Sequence, residues 1–154
     1  MDFKNYHALI ETTIAFLGLN PVDTRGAEEG QWTLQSGEFE LYIDLWQQDK
    51  SSAWMYFESE EPVYIFQVTA PVCFLPNQNL EKLYEELLHN NLNMLFASYT
   101  INKSENMLAV KYRRICNGLK QEDIVESIES VGYYAQQTIG ALEDRYDIKK
   151  IDQE

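Results

Sequence analysis

The sequence predicts an α+β domain: an antiparallel sheet of about five or six strands with three helices, in the order α-β-β-β-α-β-β-α. Three observations predict it. Apolar residues recur at helical spacing in three separated stretches, 2–17, 79–95 and 120–145. Between them the period drops to two, the mark of half-buried strands. The strand-like runs are grouped and joined by short turns, which suits antiparallel pairing rather than βαβ units. The 154 residues contain no internal repeat, low-complexity segment or interdomain linker, so one domain over 1–154 is expected, with its core at about 3–145.

In residues 2–17, Phe3, Tyr6, Ile10, Ile14 and Leu17 form one apolar stripe, and Asp2 is placed to cap the free backbone N–H groups. Gly18 and Asn20-Pro21 stop this helix, and the polar stretch 21–30 reads as a loop. Gln31 to Gln35 leads through Ser36-Gly37 into a strand, making a hairpin. In that strand Phe39, Leu41, Ile43 and Leu45 face one way, and Glu38, Glu40, Tyr42, Asp44 and Trp46 the other. Ala53 to Phe57 and Val63 to Cys73 read as further strands, and Pro71 marks an edge or a bulge late in the second.

The second helix, 79–95, gathers Leu80, Leu83, Tyr84, Leu87, Leu88, Asn91, Leu92 and Leu95 on one broad face, with Asn77 or Asn79 as its cap. Asn90, Asn91 and Asn93 weaken its last turn. Phe96 to Ile101 and Met107 to Ile115 read as a strand pair. The last helix turns Ile124, Ile128, Val131, Ala135, Thr138 and Leu142 inward, and the charged tail after Tyr146 is expected to fray.

The net charge is −13, divided as −9 over residues 1–61 and −4 over residues 62–154. Phosphate neutralisation supplies most nucleic-acid affinity, so this acidity argues against DNA or RNA, and anionic membrane surfaces repel it equally. No run reaches the length of a membrane span and the N-terminus lacks a signal-peptide layout, so a cytoplasmic protein is expected. Cys73 and Cys116 lie in apolar strand runs and read as buried free thiols. His7 and His89 sit in no metal-ligand spacing, and no glycine-rich phosphate loop or nucleophile elbow occurs. No catalytic residue, cofactor or metal site is therefore predicted. Glu38, Glu40 and Asp44 read as a strand's polar face, while Glu122 and Asp123 suit a helix N-terminus.

The aromatic residues are more suggestive. Tyr42, Trp46, Trp54, Tyr56, Tyr64 and Phe66 lie in three neighbouring strand segments. If helices cover the Leu41 face, Trp46 is left on the outer surface, where large aromatics among polar residues suit a protein partner. Lys111 and Arg113 share one strand face and offer a basic docking strand, whereas Arg114 points to the opposite side, toward the rim or an internal acid.

The element order, size and acidity resemble the type III secretion chaperone-like fold, and within it the YbjN family, described as bacterial sensory transduction regulators. The likeness is carried by residues 80–131: the helix holding Leu87-Leu88-His89-Asn90-Asn91-Leu92, a strand opening with Phe96, the strand Met107 to Arg114, and Gly118-Leu119-Lys120-Gln121-Glu122-Asp123-Ile124 before the last helix. The resemblance implies a non-enzymatic, dimeric protein that binds an extended polypeptide, in some relatives by adding a strand to the sheet edge. The expected function is thus a chaperone-like or regulatory homodimer with a polypeptide partner. The alternative is a small-molecule or enzymatic pocket between sheet and helices, lined by Tyr84, His89 and Tyr112.

Overall fold

A computed structural model of the chain describes residues 1–49 and 60–151. The expected strand Ala53 to Phe57, and with it Trp54 and Tyr56, lies outside the described residues. Helix α1 (Phe3–Phe16) opens with a reciprocal capping box. The Asn5 amide donates to Asp2 Oδ1 and the Asp2 amide donates to Asn5 Oδ1, both at 3.0 Å. It closes on Gly18 at φ 87°, with Leu19 N–H bonding Ile14 C=O and Gly18 N–H bonding Ala15 C=O. That pattern satisfies the last carbonyls and needs the left-handed residue that glycine supplies. The stretch expected as loop contains one helical turn, α2 (Pro21–Thr24), started by Asn20 Oδ1 on the Val22 amide. Four residues are too few for a periodic apolar signal.

The sheet comprises β1 (Gln31–Ser36), β2 (Phe39–Gln47), β3 (Tyr64–Phe74), β4 (Ser98–Asn102), β5 (Met107–Ile115) and β6 (Lys149–Lys150). Its order is β1-β2-β3-β5-β4, with every pairing antiparallel. The register of β3 on β5 shifts between Pro71 and Cys73, the bulge that Pro71 foreshadowed. β6 pairs with Cys73 and Phe74 beyond the end of β2, so Lys149 and Lys150, within the stretch expected to fray, are instead tied to the sheet.

One sheet face carries Leu41, Ile43, Phe66, Val68, Leu108 and Val110, all buried beneath α1 and α4 (Gln121–Leu142). Each such side chain contributes about 1.5–3 kcal/mol when removed from water. Every residue expected on the inner face of the last helix is buried. Arg114 reaches Asp123 at the start of α4, Nη1 to Oδ2 at 3.3 Å.

Helix α3 (Leu80–Asn91) is peripheral and lies along β4. It ends four residues short of the expected boundary, where the asparagines begin. Asn79 occupies its N-cap in the left-handed region, but its side chain caps nothing. Leu83 and Leu87 are buried, whereas Leu88, Leu92 and Leu95 are exposed. The expected broad face is therefore divided, one half packed and the other open.

Candidate functional site

Among the described residues no helix covers the second face of the sheet. Cross-strand register builds it in rows. Thr33, Tyr42, Thr69, Lys111 and Ser98 form one row across five strands. Gln31, Asp44, Gln67 and Arg113 form the next, and Trp46, Ile65 and Ile115 a third. Alternation along β2 and β5 thus brings Tyr42, Trp46, Lys111 and Arg113 onto the same outer face. Tyr64 and Phe66 do not join them. Ile43 pairs with Val68, which fixes the parity of β3 and turns Tyr64 and Phe66 inward. Tyr64 packs against Phe3 and Tyr6, with ring centroids 6.3 and 5.8 Å away. Phe66 is fully buried and meets Tyr112 edge-on at 6.1 Å.

The outer rows are wired by polar contacts. Arg113 Nε donates to Gln67 Oε1 at 2.7 Å, and Gln67 Nε2 donates to Asp44 Oδ2 at 3.3 Å. The Arg113 guanidinium also lies over the half-buried Trp46 ring, 5.5 Å from its centroid. Burial pushes the Asp44 carboxyl above its ordinary pKa, against the pull of Gln67, Lys111 and Arg113. Burial pushes the Lys111 ammonium down, helped by the charge of Arg113 and opposed by Asp44. Tyr42 donates to Glu40 Oε2 at 2.6 Å, and this bond, with desolvation, raises its pKa to about 12. The Thr69 hydroxyl is buried and has no hydrogen-bond partner among the described residues. Leaving such a group unpaired costs about 1–3 kcal/mol.

Two open depressions share Lys111 on this face. One, of about 690 Å³, is lined by residues that include Tyr42, Asp44, Gln67 and Thr69. The other, of about 430 Å³, is lined by Phe96, Ala97, Ser98, Thr100, Lys111 and Arg113. Phe96 was expected to open a strand, but it stands before β4 with φ 66°. Ala97 N–H bonds Leu95 C=O at 2.8 Å, so Phe96 is the centre of a three-residue turn of the rare positive-φ kind. Left-handed backbone costs a residue with a Cβ about 1–2 kcal/mol. Tyr134 pins this turn by accepting from the Leu95 amide at 3.0 Å. The ring so presented is 57% exposed.

The edge strand β4 is partly closed. Asn91 Oδ1 accepts from the Tyr99 amide at 2.7 Å, and Asn91 Nδ2 reaches Tyr99 C=O at 3.5 Å. A side-chain amide here occupies the groups that an added strand would use. The residues named for an internal pocket are not brought together. Tyr84 lines a depression between α3 and β4, His89 is exposed, and Tyr112 packs against Phe66. Cys73 and Cys116 are buried and free, and burial raises their pKa values to about 11 and about 12.

The fold is shared with solved structures. A chain of the heterodimeric ExoU-SpcU complex from the type III secretion system of Pseudomonas aeruginosa superposes with a TM-score of 0.58 at 14% identity, covering 88% of this chain and 98% of that one. A chain of the HopA1-SchA chaperone-effector complex gives 0.60 at 10% identity, covering 91% of this chain and 98% of that one. The chain has a type III secretion chaperone-like fold. No protein family and no curated protein matches it by sequence. The chaperone-like likeness seen in residues 80–131 is thus supported at the level of the fold, and the narrower YbjN likeness is not.

Sequence reasoning missed three parts of this site. The Thr69 orphan depends on register across β2, β3 and β5. The Asn91 clamp depends on how α3 sits beside β4. The Phe96 turn carries no glycine to announce it.

Proposed function

We propose that this chain is a non-catalytic, chaperone-like or regulatory protein of the cytoplasm that binds an extended polypeptide across the outer face of its sheet. The observation that carries the proposal is the pair of open depressions running across the helix-free face and joined at Lys111. Trp46 and Tyr42 supply aromatic area beside polar groups, the composition suited to protein contact. The fold's occurrence in chaperone-effector complexes supports the same reading. It covers a secretion chaperone and a regulator of the YbjN kind alike.

The proposal includes a homodimer. Leu88 and Leu92 are 71% and 79% exposed on the open side of α3, and a second copy is the occupant that suits an apolar helix face of this kind.

The test is recovery of a partner from native lysate on immobilised protein. Trp46→Ala and Tyr42→Ala should recover much less of the partner bound by wild type. Tyr133→Ala changes an exposed residue of α4 and should recover it fully. Equal recovery by all four proteins would remove the outer face from the account.

A further inference from the structure

The geometry points to the chemistry of the segment this face accepts: a carboxylate seated between Lys111 and Arg113, followed two residues later by an apolar side chain on Phe96. This rests on the outer-face reading above and specifies its occupant.

Three observations converge. The depression bounded by Phe96 is lined by two cations and no acid, on a chain whose net charge is −13. Neither Lys111 nor Arg113 forms an ion pair within 4.0 Å among the described residues, although the chain offers an excess of carboxylates. A carboxylate accepts from both an ammonium and a guanidinium, so one group can serve the two cations that line this depression. Phe96, finally, is held in a strained turn with its ring largely in water. Exposure of the ring brings the free chain no benefit, and covering it with an apolar group removes that area from water.

Two acids lie near this seat. Asp44 lines the adjoining depression and its charge already acts on Lys111 and Arg113, but it comes within 4.0 Å of neither and forms no ion pair with them. Glu105 lines the same depression and accepts from Asn102 Nδ2 at 3.0 Å. Burial lowers the pKa of Lys111, and an arriving carboxylate would reverse that shift. The spacing follows from Ser98, which pairs with Lys111 and lies two residues after Phe96. Same-side residues of an extended chain repeat every ~7 Å. The matching pattern is acidic-x-apolar.

The test is fluorescence polarisation with labelled twelve-residue peptides: repeats of Glu-Ser-Leu-Ser, of Lys-Ser-Leu-Ser and of Glu-Ser-Ser-Ser. The first should bind about tenfold more tightly than either other, the scale set by hydrogen bonds to a charged group. Its affinity should fall as salt rises. Lys111→Gln should reduce it about tenfold, and Lys111→Glu should abolish the preference for Glu over Lys. Phe96→Gly should weaken it to a similar degree while leaving the urea midpoint unchanged or raised, because glycine adopts φ 66° freely.

Equal binding of the Glu and Lys peptides overturns the inference, as does a Phe96→Gly protein that loses stability and keeps its affinity. Preference for the Lys peptide with dependence on Trp46 overturns the acidic occupant and leaves the outer-face function standing. If no peptide binds, the inference also falls. Loss of self-association in Lys111→Glu would then identify a second copy as the occupant.

Discussion

Phe66→Ala should be among the more damaging single substitutions in the sheet, although the sequence alone set Phe66 beside surface aromatics. The ring is 0% exposed and makes an edge-on contact with Tyr112 at 6.1 Å. Truncating a buried phenylalanine costs about 3–5 kcal/mol through lost transfer energy and the cavity left behind. Total stability is typically about 5–15 kcal/mol, so the variant keeps only part of it. For a chain of this size each kcal/mol moves the midpoint by about 2–4 °C, so Tm should fall by about 6–20 °C. Urea unfolding followed by far-UV circular dichroism gives the energy directly. Tyr42→Ala, between the core positions Leu41 and Ile43 but on the opposite face, should cost about 1 kcal/mol or less. Should Phe66→Ala prevent folding, Phe66→Leu keeps most of the volume and should cost about 1–1.5 kcal/mol. A loss below about 1 kcal/mol for Phe66→Ala, or an equal loss for Tyr42→Ala, would refute the parity assigned to β3 and β2.

Glu11 joins α1 to the start of β1. It accepts from Arg25 Nε and Nη2 at 2.7 and 2.9 Å and from Trp32 Nε1 at 3.2 Å. The Arg25 bond holds its carboxyl below the usual range, so its stabilisation is complete above about pH 4.3 and is lost as pH falls through the depressed folded-state value. Glu11→Leu should cost about 1–3 kcal/mol at neutral pH, chiefly by orphaning the buried indole, and should flatten the acid limb of the stability curve. Gly30→Ala should destabilise by about 3 kcal/mol or more in a thermal melt, because φ is 85° and a Cβ would run into the Leu45 carbonyl oxygen. Light scattering at micromolar concentration should report a dimer for wild type and a monomer for Leu88→Lys with Leu92→Lys. A wild-type monomer would end the dimer proposal.

The parts of the fold legible in sequence are those whose signal is local. α1 announces itself by Asp2, a stripe and Gly18, and β2 by clean alternation with polar residues on one face only. β3 resists such reading, since its sequence Tyr64-Ile65-Phe66-Gln67-Val68 is apolar on both sides of the pleat. Ile65 is 6% exposed although it lies on the outer face, so burial there does not report direction. Only pairing with β2 does, and that is why the sequence groups Tyr64 and Phe66 with Tyr42 and Trp46 without fixing their side of the sheet. α2 and β6 escaped notice because four and two residues carry no period. The candidate site was legible where it rests on one strand's alternation, as for Tyr42 with Trp46 and Lys111 with Arg113. It was illegible where it rests on neighbours across the sheet.

The central claim is that a polypeptide lies on the outer face of the sheet. Photo-crosslinking reads this directly. Benzoylphenylalanine would be placed at Tyr42 in one protein and at Tyr133 in another, and each irradiated in native lysate. A polypeptide adduct is predicted from position 42 and none from position 133. Adducts from position 133 with none from position 42 would contradict the account.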